Sequence, residues 1–220
     1  MAKHKLERFA ENKTFSILFQ HPDYDFINSG FPLKGKWNKD FFHNDNPIVL
    51  EVGCGRGEYT TALAKRFPHL NFVGIDRKGA RLWRGCKNAI EQNLSNVAYL
   101  RIGIEYIEYF FGHDEVSEIW ITFPDPQPNK ENRRLVSPVL IEKYKSFLKK
   151  EGLIHLKTDS SLLYQYTLKT AAVENWKILE NIENVYSQSD NLILTEIQTF
   201  YEKKWLKEDR VISYIKFQTS

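Results

Sequence analysis

Gly53, Gly55 and Gly57 alternate with Cys54 and Arg56; Glu51 stands two residues before the first glycine and Asp76 nineteen beyond the last. Glycines at that spacing, after a β-prone run, let a backbone approach a ligand with no side chain between. A pyrophosphate-binding turn needs one more glycine where this chain has Glu58, whose charge would repel phosphate at the same helix amides. No Gly-Lys-Ser/Thr follows, which excludes a triphosphate cradle. Asp76 is placed to accept both hydroxyls of a ribose. Glu51, at the mouth of the same turn, can support a cationic ligand directly or order the loop. A ribose, an ammonium, a sulfonium and no phosphate describe S-adenosylmethionine, the cofactor this set of residues fits. Capping the following helix is the other task open to Asp76.

A third acid, Asp125, lies between Pro124 and Pro126, with Pro128 just beyond. Prolines pre-fix the backbone, so this carboxylate is held at little further entropy cost. A plain surface turn uses the same residue types. The six histidines are scattered, and Cys54 and Cys86 fit no metal or redox spacing, so no metal is expected.

Periodicity supplies the elements that must carry these residues. The patterns predict strands over 48–52, 71–75, 97–102, 118–123 and 153–157, with two more near 176–180 and 211–218. Helices are expected between them, over 59–67, 78–92, 104–111 and 161–174, and near 200–206. One further helix is expected to start at the Ser137-Pro138 pair and run until Gly152 stops it. Strand–helix alternation implies an α/β fold with a mainly parallel sheet covered on both faces. Right-handed crossovers then place the loops at 53–57, Asp76, Gly103, 124–128 and 158–160 along one edge, where ligands bind. Residues 1–46 read differently. They are rich in aromatic, Asn and Lys residues, and are expected to form a partly irregular arm, with a short helix near 5–12, packed on a domain spanning 47–220 by Phe15, Phe19, Tyr24, Phe26 and Trp37.

The chain has 220 residues, 42% hydrophobic and 27% charged, which is globular composition. No apolar run approaches the ~18 residues of a membrane span, and the start lacks the apolar core of a secretory signal, so a cytoplasmic address and no membrane partner are expected. The 31 basic and 28 acidic residues leave a formal charge of only +3. The basic residues come in runs: Lys3, Lys5 and Arg8; Arg77, Lys78, Arg81, Arg84 and Lys87; Lys130, Arg133 and Arg134; and Lys203, Lys204, Lys207 and Arg210. Each run alone reads as a solvated face. Gathered on one side, several would neutralise phosphates and make binding salt-dependent. The sequence is equally compatible with a monomer and a homodimer.

Residues 48–57, 72–76 and 123–126, together with Arg133-Arg134-Leu135, His155-Leu156-Lys157-Thr158-Asp159 and Thr199-Phe200-Tyr201-Glu202, resemble the ordered blocks of the bacterial tRNA (guanine-N7)-methyltransferases. The resemblance runs from about residue 47 to the C-terminus. It implies a class I methyltransferase fold, a Rossmann-like three-layer sandwich whose seven-stranded, mainly parallel sheet has a terminal antiparallel strand. It also implies methyl transfer from S-adenosylmethionine to a guanine in the tRNA variable loop. Cofactor residues then fall at Glu51, Gly53, Gly55, Gly57, Asp76 and Asp125, and the catalytic role at Asp125. Substrate residues fall at Asn129, Lys130, Arg133, Arg134, Asp159, Thr199, Tyr201 and Glu202. The chain departs from the family pattern twice. It has Gly103 where an Asp or Asn is usual, and Asp125-Pro126-Gln127-Pro128-Asn129 where Asp-Pro-Trp-Pro-Lys is usual. Arg101, Glu105 or backbone could supply the contact missing at Gly103.

The chemistry agrees with that implication. Guanine N7 carries an in-plane lone pair at neutral pH, so attack on a methyl group needs alignment rather than a base. Two other readings remain open: a methyltransferase acting on another RNA, a small molecule or a protein, and a non-catalytic RNA-binding module on a degenerate nucleotide fold. The latter predicts tRNA binding without cofactor affinity.

Overall fold

The structure, a computed structural model, describes residues 2–21 and 24–219. In chain order the helices are α1 (Ala2–Glu11), α2 (Phe26–Ser29), α3 (Glu58–Arg66), α4 (Gly79–Glu91), α5 (Pro138–Lys145), α6 (Ser161–Val173), α7 (Val185–Gln188), α8 (Leu192–Glu196) and α9 (Phe200–Leu206). The strands are β1 (Leu18–Gln20), β2 (Ile48–Val52), β3 (Asn71–Ile75), β4 (Val97–Arg101), β5 (Val116–Thr122), β6 (Leu148–Thr158), β7 (Lys177–Ile182) and β8 (Ser213–Gln218).

The strands form one sheet in the order β1-β4-β3-β2-β5-β6-β8-β7, with β8 antiparallel to both neighbours and the other pairings parallel. Every residue of β2 and β3 is buried, as expected for parallel strands covered on both faces. Alternation along β2 sends Leu50 and Val52 into one apolar layer and Val49 into the other. The first layer takes Leu140 and Tyr144 of α5 and Leu163 of α6; the second takes Tyr59 and Leu63 of α3 and Leu82 and Cys86 of α4. The connection order reverses at β2, which pairs with β3 on one side and β5 on the other. That reversal opens the crevice beyond the strands' carboxyl ends where ligands of such sheets bind.

The sheet has eight strands, one more than the resemblance implies, because the arm adds β1 alongside β4 through Leu18, Phe19 and Gln20. The arm is also more ordered than its composition suggests: α1, β1, α2 and a π-helical turn over Trp37–Phe42 occupy much of it. Its aromatics lie against those of residues 104–111. Trp37 is fully buried, stacks on Phe111 at 5.7 Å, and donates from Nε1 to the Phe110 carbonyl at 2.9 Å.

Gly152 does not end a helix. Helix α5 stops at Lys145, and Gly152 lies inside β6, in a bulge where the pairing jumps from Val116–Leu148 to Glu118–Leu153. Leu148, inside the span expected to be helical, pairs with Val116 as a strand residue instead. Ser137 precedes α5 without a side-chain cap; its hydroxyl donates to the Asn132 carbonyl at 3.2 Å.

Candidate active site

The turn after β2 is shaped by glycine. Gly53, Gly55 and Gly57 hold φ of 78°, 58° and 66°, a region costly for other residues. At Gly57 a Cβ would also lie 2.6 Å from the Tyr99 ring of β4. Two amides of the turn, Gly53 and Cys54, donate to the Ile75 carbonyl at 2.8 and 2.9 Å. A third, Gly55, donates to Asp76 Oδ2 at 3.1 Å, while Asp76 Oδ1 accepts from the Lys78 amide at 2.7 Å. The acid therefore turns the chain toward α4 and braces the glycine loop at once. Each carboxylate oxygen keeps a second lone pair, enough to accept a pair of hydroxyls.

Glu51 is almost fully buried. Its Oε2 accepts from the Thr60 amide at 2.8 Å and from the Thr60 hydroxyl, and its Oε1 accepts from Thr122 Oγ1 at 2.6 Å. Burial pushes this carboxyl up to about 7, against the pull of the Thr122 and Thr60 hydrogen bonds. It clamps the glycine loop between β2, the first turn of α3 and the end of β5, so loop ordering is the role its contacts support.

Asp125 is exposed just past β5, where its Oδ1 accepts from the Gln127 amide at 3.0 Å. Phe123 and Gln127 on either side hold positive φ of 48° and 45°, and the Phe123 amide is tied to the Lys157 carbonyl at 2.8 Å. Asp76 and Asp125 line one cavity of ≈ 260 Å³ with Gly53, Glu105 and the apolar side chains of Ile102 and Leu135. Arg77, Lys78 and Arg81 also line this cavity, so it is the apolar walls, with Asp76 free to accept hydroxyls, that suit an adenosine. A Cβ at Gly103 would meet the Glu105 carboxyl at 2.7 Å. Glu105 therefore stands where the missing side chain at 103 would project.

A second cavity, of ≈ 460 Å³, shares Gly53, Arg81 and Phe123 with the first and is lined further by Gly55, Thr122, Thr199 and Tyr201 and by several more arginines. Tyr201 is exposed, and Thr199 sits at the start of α9. Asn129, Lys130 and Arg133 are exposed on the loop leading to α5. Asp159, past the end of β6, pairs with Arg210 at 3.1 Å, and Arg210 in turn stacks over Trp205 at 3.8 Å.

Two residues expected at the substrate are buried in this structure. Arg134 is buried; it donates to the Pro126 and Pro128 carbonyls at 3.1 and 3.4 Å, pairs with Glu131 at 3.0 Å, and lies over the Tyr166 ring. It fastens the proline loop from behind. Glu202 has no solvent exposure. It forms a capping box with Thr199 and an ion pair with Lys157 at 2.5 Å. Lys157 went unassigned in the sequence, although it lies in a recognised block. Its burial beneath α8 and α9 comes from chain that is distant in sequence. Among the described residues no group of three or more His, Cys, Asp or Glu side chains gathers as a metal site, and no helix is long and apolar enough to cross a membrane.

A family model described as "Putative methyltransferase" matches residues 45–214. A tRNA (guanine-N(7)-)-methyltransferase of Christiangramia forsetii is 48% identical over 223 residues, covering 99% of this chain and 98% of its own length. Proteins of the same name from Bacteroides fragilis and Porphyromonas gingivalis are 47% and 49% identical, over 99% and 93% of this chain and 86% and 85% of theirs. Among solved structures, the 16S rRNA methyltransferase KamB superposes with a TM-score of 0.61 at 15% identity, over 80% of this chain and 88% of that one. A 30S ribosomal A1408 methyltransferase from an uncultured bacterium gives 0.60 at 16%, over 81% and 90%. At that identity the likeness concerns the fold, which is the class I methyltransferase sandwich. Near-half identity along almost the whole length says more: the chain belongs to the bacterial tRNA (guanine-N7)-methyltransferase family.

Proposed function

We propose that the chain transfers a methyl group from S-adenosylmethionine to N7 of a guanine in the tRNA variable loop, working in the cytoplasm where that substrate is made. The observation that carries this reading is the meeting of Asp76, Glu105 and Asp125 on one cavity beside the glycine loop, in a chain nearly half identical to proteins of that name. S-adenosylmethionine supplies an electrophilic methyl group on a sulfonium. Asp76 accepts from the ribose hydroxyls with the lone pairs its backbone contacts leave free. Ile102, Ile104 and Leu135 flank the adenine, with Glu105 supplying the polar contact that Gly103 lacks. Gly53 and Gly55 bring bare backbone to the amino-acid end, and Glu51 holds that backbone still from below.

Attack by N7 leaves the guanine ring cationic, and no proton has to move in the step. The chain's task is alignment plus a negative charge where positive charge develops. Asp125 has that charge, exposure to the cavity, and a backbone fixed by prolines. Lys130, Arg133 and Asn129 meet the RNA from the loop beside it, and Asp159, Thr199 and Tyr201 from the opposite rim. Arg134 and Glu202 support those rims from inside. The direct test is transfer of a labelled methyl group to unmodified tRNA followed by nucleoside analysis. 7-Methylguanosine is the expected product; label in a methylated adenosine or cytidine, or none in tRNA, overturns the reading.

A further inference from the structure

Arginines from three separate segments converge on the larger cavity: Arg8 of α1, Arg56 of the glycine loop, and Arg81 and Arg84 of α4. Among the described residues lining it, Glu58 alone carries a carboxylate, and its Oε2 is engaged with the Phe200 amide at 2.9 Å. Among the described residues none of the four arginines is ion-paired. Three of them are held by aromatic rings instead. Arg8 and Arg84 lie 4.7 and 5.2 Å from the centre of the Trp83 ring, and Arg56 lies 4.6 Å from that of Phe200. A ring face orients a guanidinium without neutralising it, so its charge and N–H donors stay free for an anion.

The arm is built to bring Arg8 there. Trp83 Nε1 donates to Glu11 Oε2 at 2.6 Å, Lys87 pairs with Glu11 Oε1 at 3.1 Å, and Asn12 Nδ2 donates to the Gly79 carbonyl at 2.9 Å. The nearby acid Glu11 is thus spent on docking α1 against α4. A Cβ at Gly79 would meet the Phe9 ring at 2.9 Å, so glycine there permits the close approach.

We propose that this cleft is a phosphate-binding groove for the RNA strand flanking the methylated guanine, with the N-terminal helix as one wall. The inference rests on tRNA being the substrate. One carboxylate at the amino-acid end of the cofactor needs one arginine; the remainder match a polyanion spanning successive phosphates. Thr199 and Tyr201 on the same cavity bring the groove to the rim where the guanine enters.

The test is equilibrium binding of unmodified tRNA, over about 50–200 mM salt, to wild type and to an Arg8→Gln/Arg84→Gln variant. The groove predicts at least about tenfold weaker binding at the upper salt level and a salt slope lower by about 1.4, or ~0.7 per lost single-strand phosphate contact. Cofactor affinity by calorimetry stays at the wild-type value, and Arg8→Lys/Arg84→Lys recovers most of the slope. Should the pair loosen α1, Arg84→Glu alone, at an exposed side chain, is expected to weaken tRNA binding with a salt slope lower by about 0.7. Unchanged tRNA affinity and slope overturn the proposal, as does loss confined to cofactor binding. Methylation by wild type is read separately: binding that loses its slope as predicted, without guanine methylation, overturns the substrate reading and leaves the groove.

Discussion

Lys157 Nζ lies 2.5 Å from Glu202 Oε1, and both side chains are wholly shielded from solvent. Burial pulls the lysine down and pushes the glutamate up, and in each case the partner's charge opposes the shift. The remaining polar atoms are also used: Lys157 donates to the Leu194 and Ile197 carbonyls at 2.5 and 3.4 Å, and Glu202 accepts from Tyr186 at 2.8 Å. The pair joins β6 to α8, α9 and the chain between them, and so sets the positions of Thr199 and Tyr201.

Removing one partner strands the other charge in the interior, which costs more than the pair itself gains. Glu202→Gln is expected to lose about 3–5 kcal/mol of stability in urea unfolding. Lys157→Met combined with Glu202→Leu is expected to regain much of it. A single variant within about 1 kcal/mol of wild type is inconsistent with a buried, fully used pair.

Glu51 makes stability depend on pH in the direction opposite to a salt-bridged acid. Its folded-state carboxyl sits near 7 instead of 4.5 because burial disfavours the charge. The folded chain holds the proton more tightly, so this contribution is complete below 4.5 and is lost as pH rises through about 7. Glu51→Gln keeps an acceptor for Thr60, and the Thr122 hydroxyl can rotate to accept. Cofactor-free Glu51→Gln is expected to be more stable than wild type at pH 8 by about 1–3 kcal/mol and to show a flatter stability profile from pH 5 to 8. Thermal melts at both pH values check this; parallel profiles for the two proteins argue against a protonated Glu51.

Asp76→Ala removes the brace on the Gly55 amide as well as the proposed ribose acceptor. Calorimetry is expected to show S-adenosylmethionine binding weakened by roughly 1.5–3 kcal/mol, the scale of hydrogen bonds to a charged group. Undiminished affinity in a folded variant takes Asp76 out of the site.

Neighbouring arginines are expected to behave differently. Arg133 is exposed and Arg134 buried. Arg133→Gln should weaken binding of different tRNAs about equally and lower the salt slope by up to ~0.9. Arg134→Gln should instead lower the melting temperature, since three loop contacts are lost with it. Equal salt slopes for wild type and Arg133→Gln would place Arg133 away from the RNA.

The parts of the site legible in the sequence were those made locally. The strand over 48–52, the glycine turn and Asp76 at the end of the next strand are consecutive in the chain, and their spacing alone brings them together. Contacts made by folding were harder to see. Nothing local distinguishes Arg133 from Arg134; one is buried because Tyr166 of α6 comes to lie under it. Glu202 reads as a surface acid in a charged helix until Lys157 arrives from β6. Gly152 carries the signature of a helix stop, yet strand pairing with β5 captures Leu148 and turns the glycine into a bulge. The extra strand at the sheet edge is only three residues long, too short for alternation to register.

The central claim is that alignment and a fixed carboxylate, with no general base, carry the transfer, and Asp125→Asn tests it most directly. The substitution keeps size and an acceptor for the Gln127 amide while removing the charge. Turns accept either residue, so the fold should survive. Single-turnover methylation with tRNA and cofactor both saturating separates chemistry from binding and release. The account predicts a rate lower by about 10²–10³, as when one preorganised stabilising group is lost. Transfer at the wild-type rate would contradict it and leave Asp125 as a residue that shapes the loop.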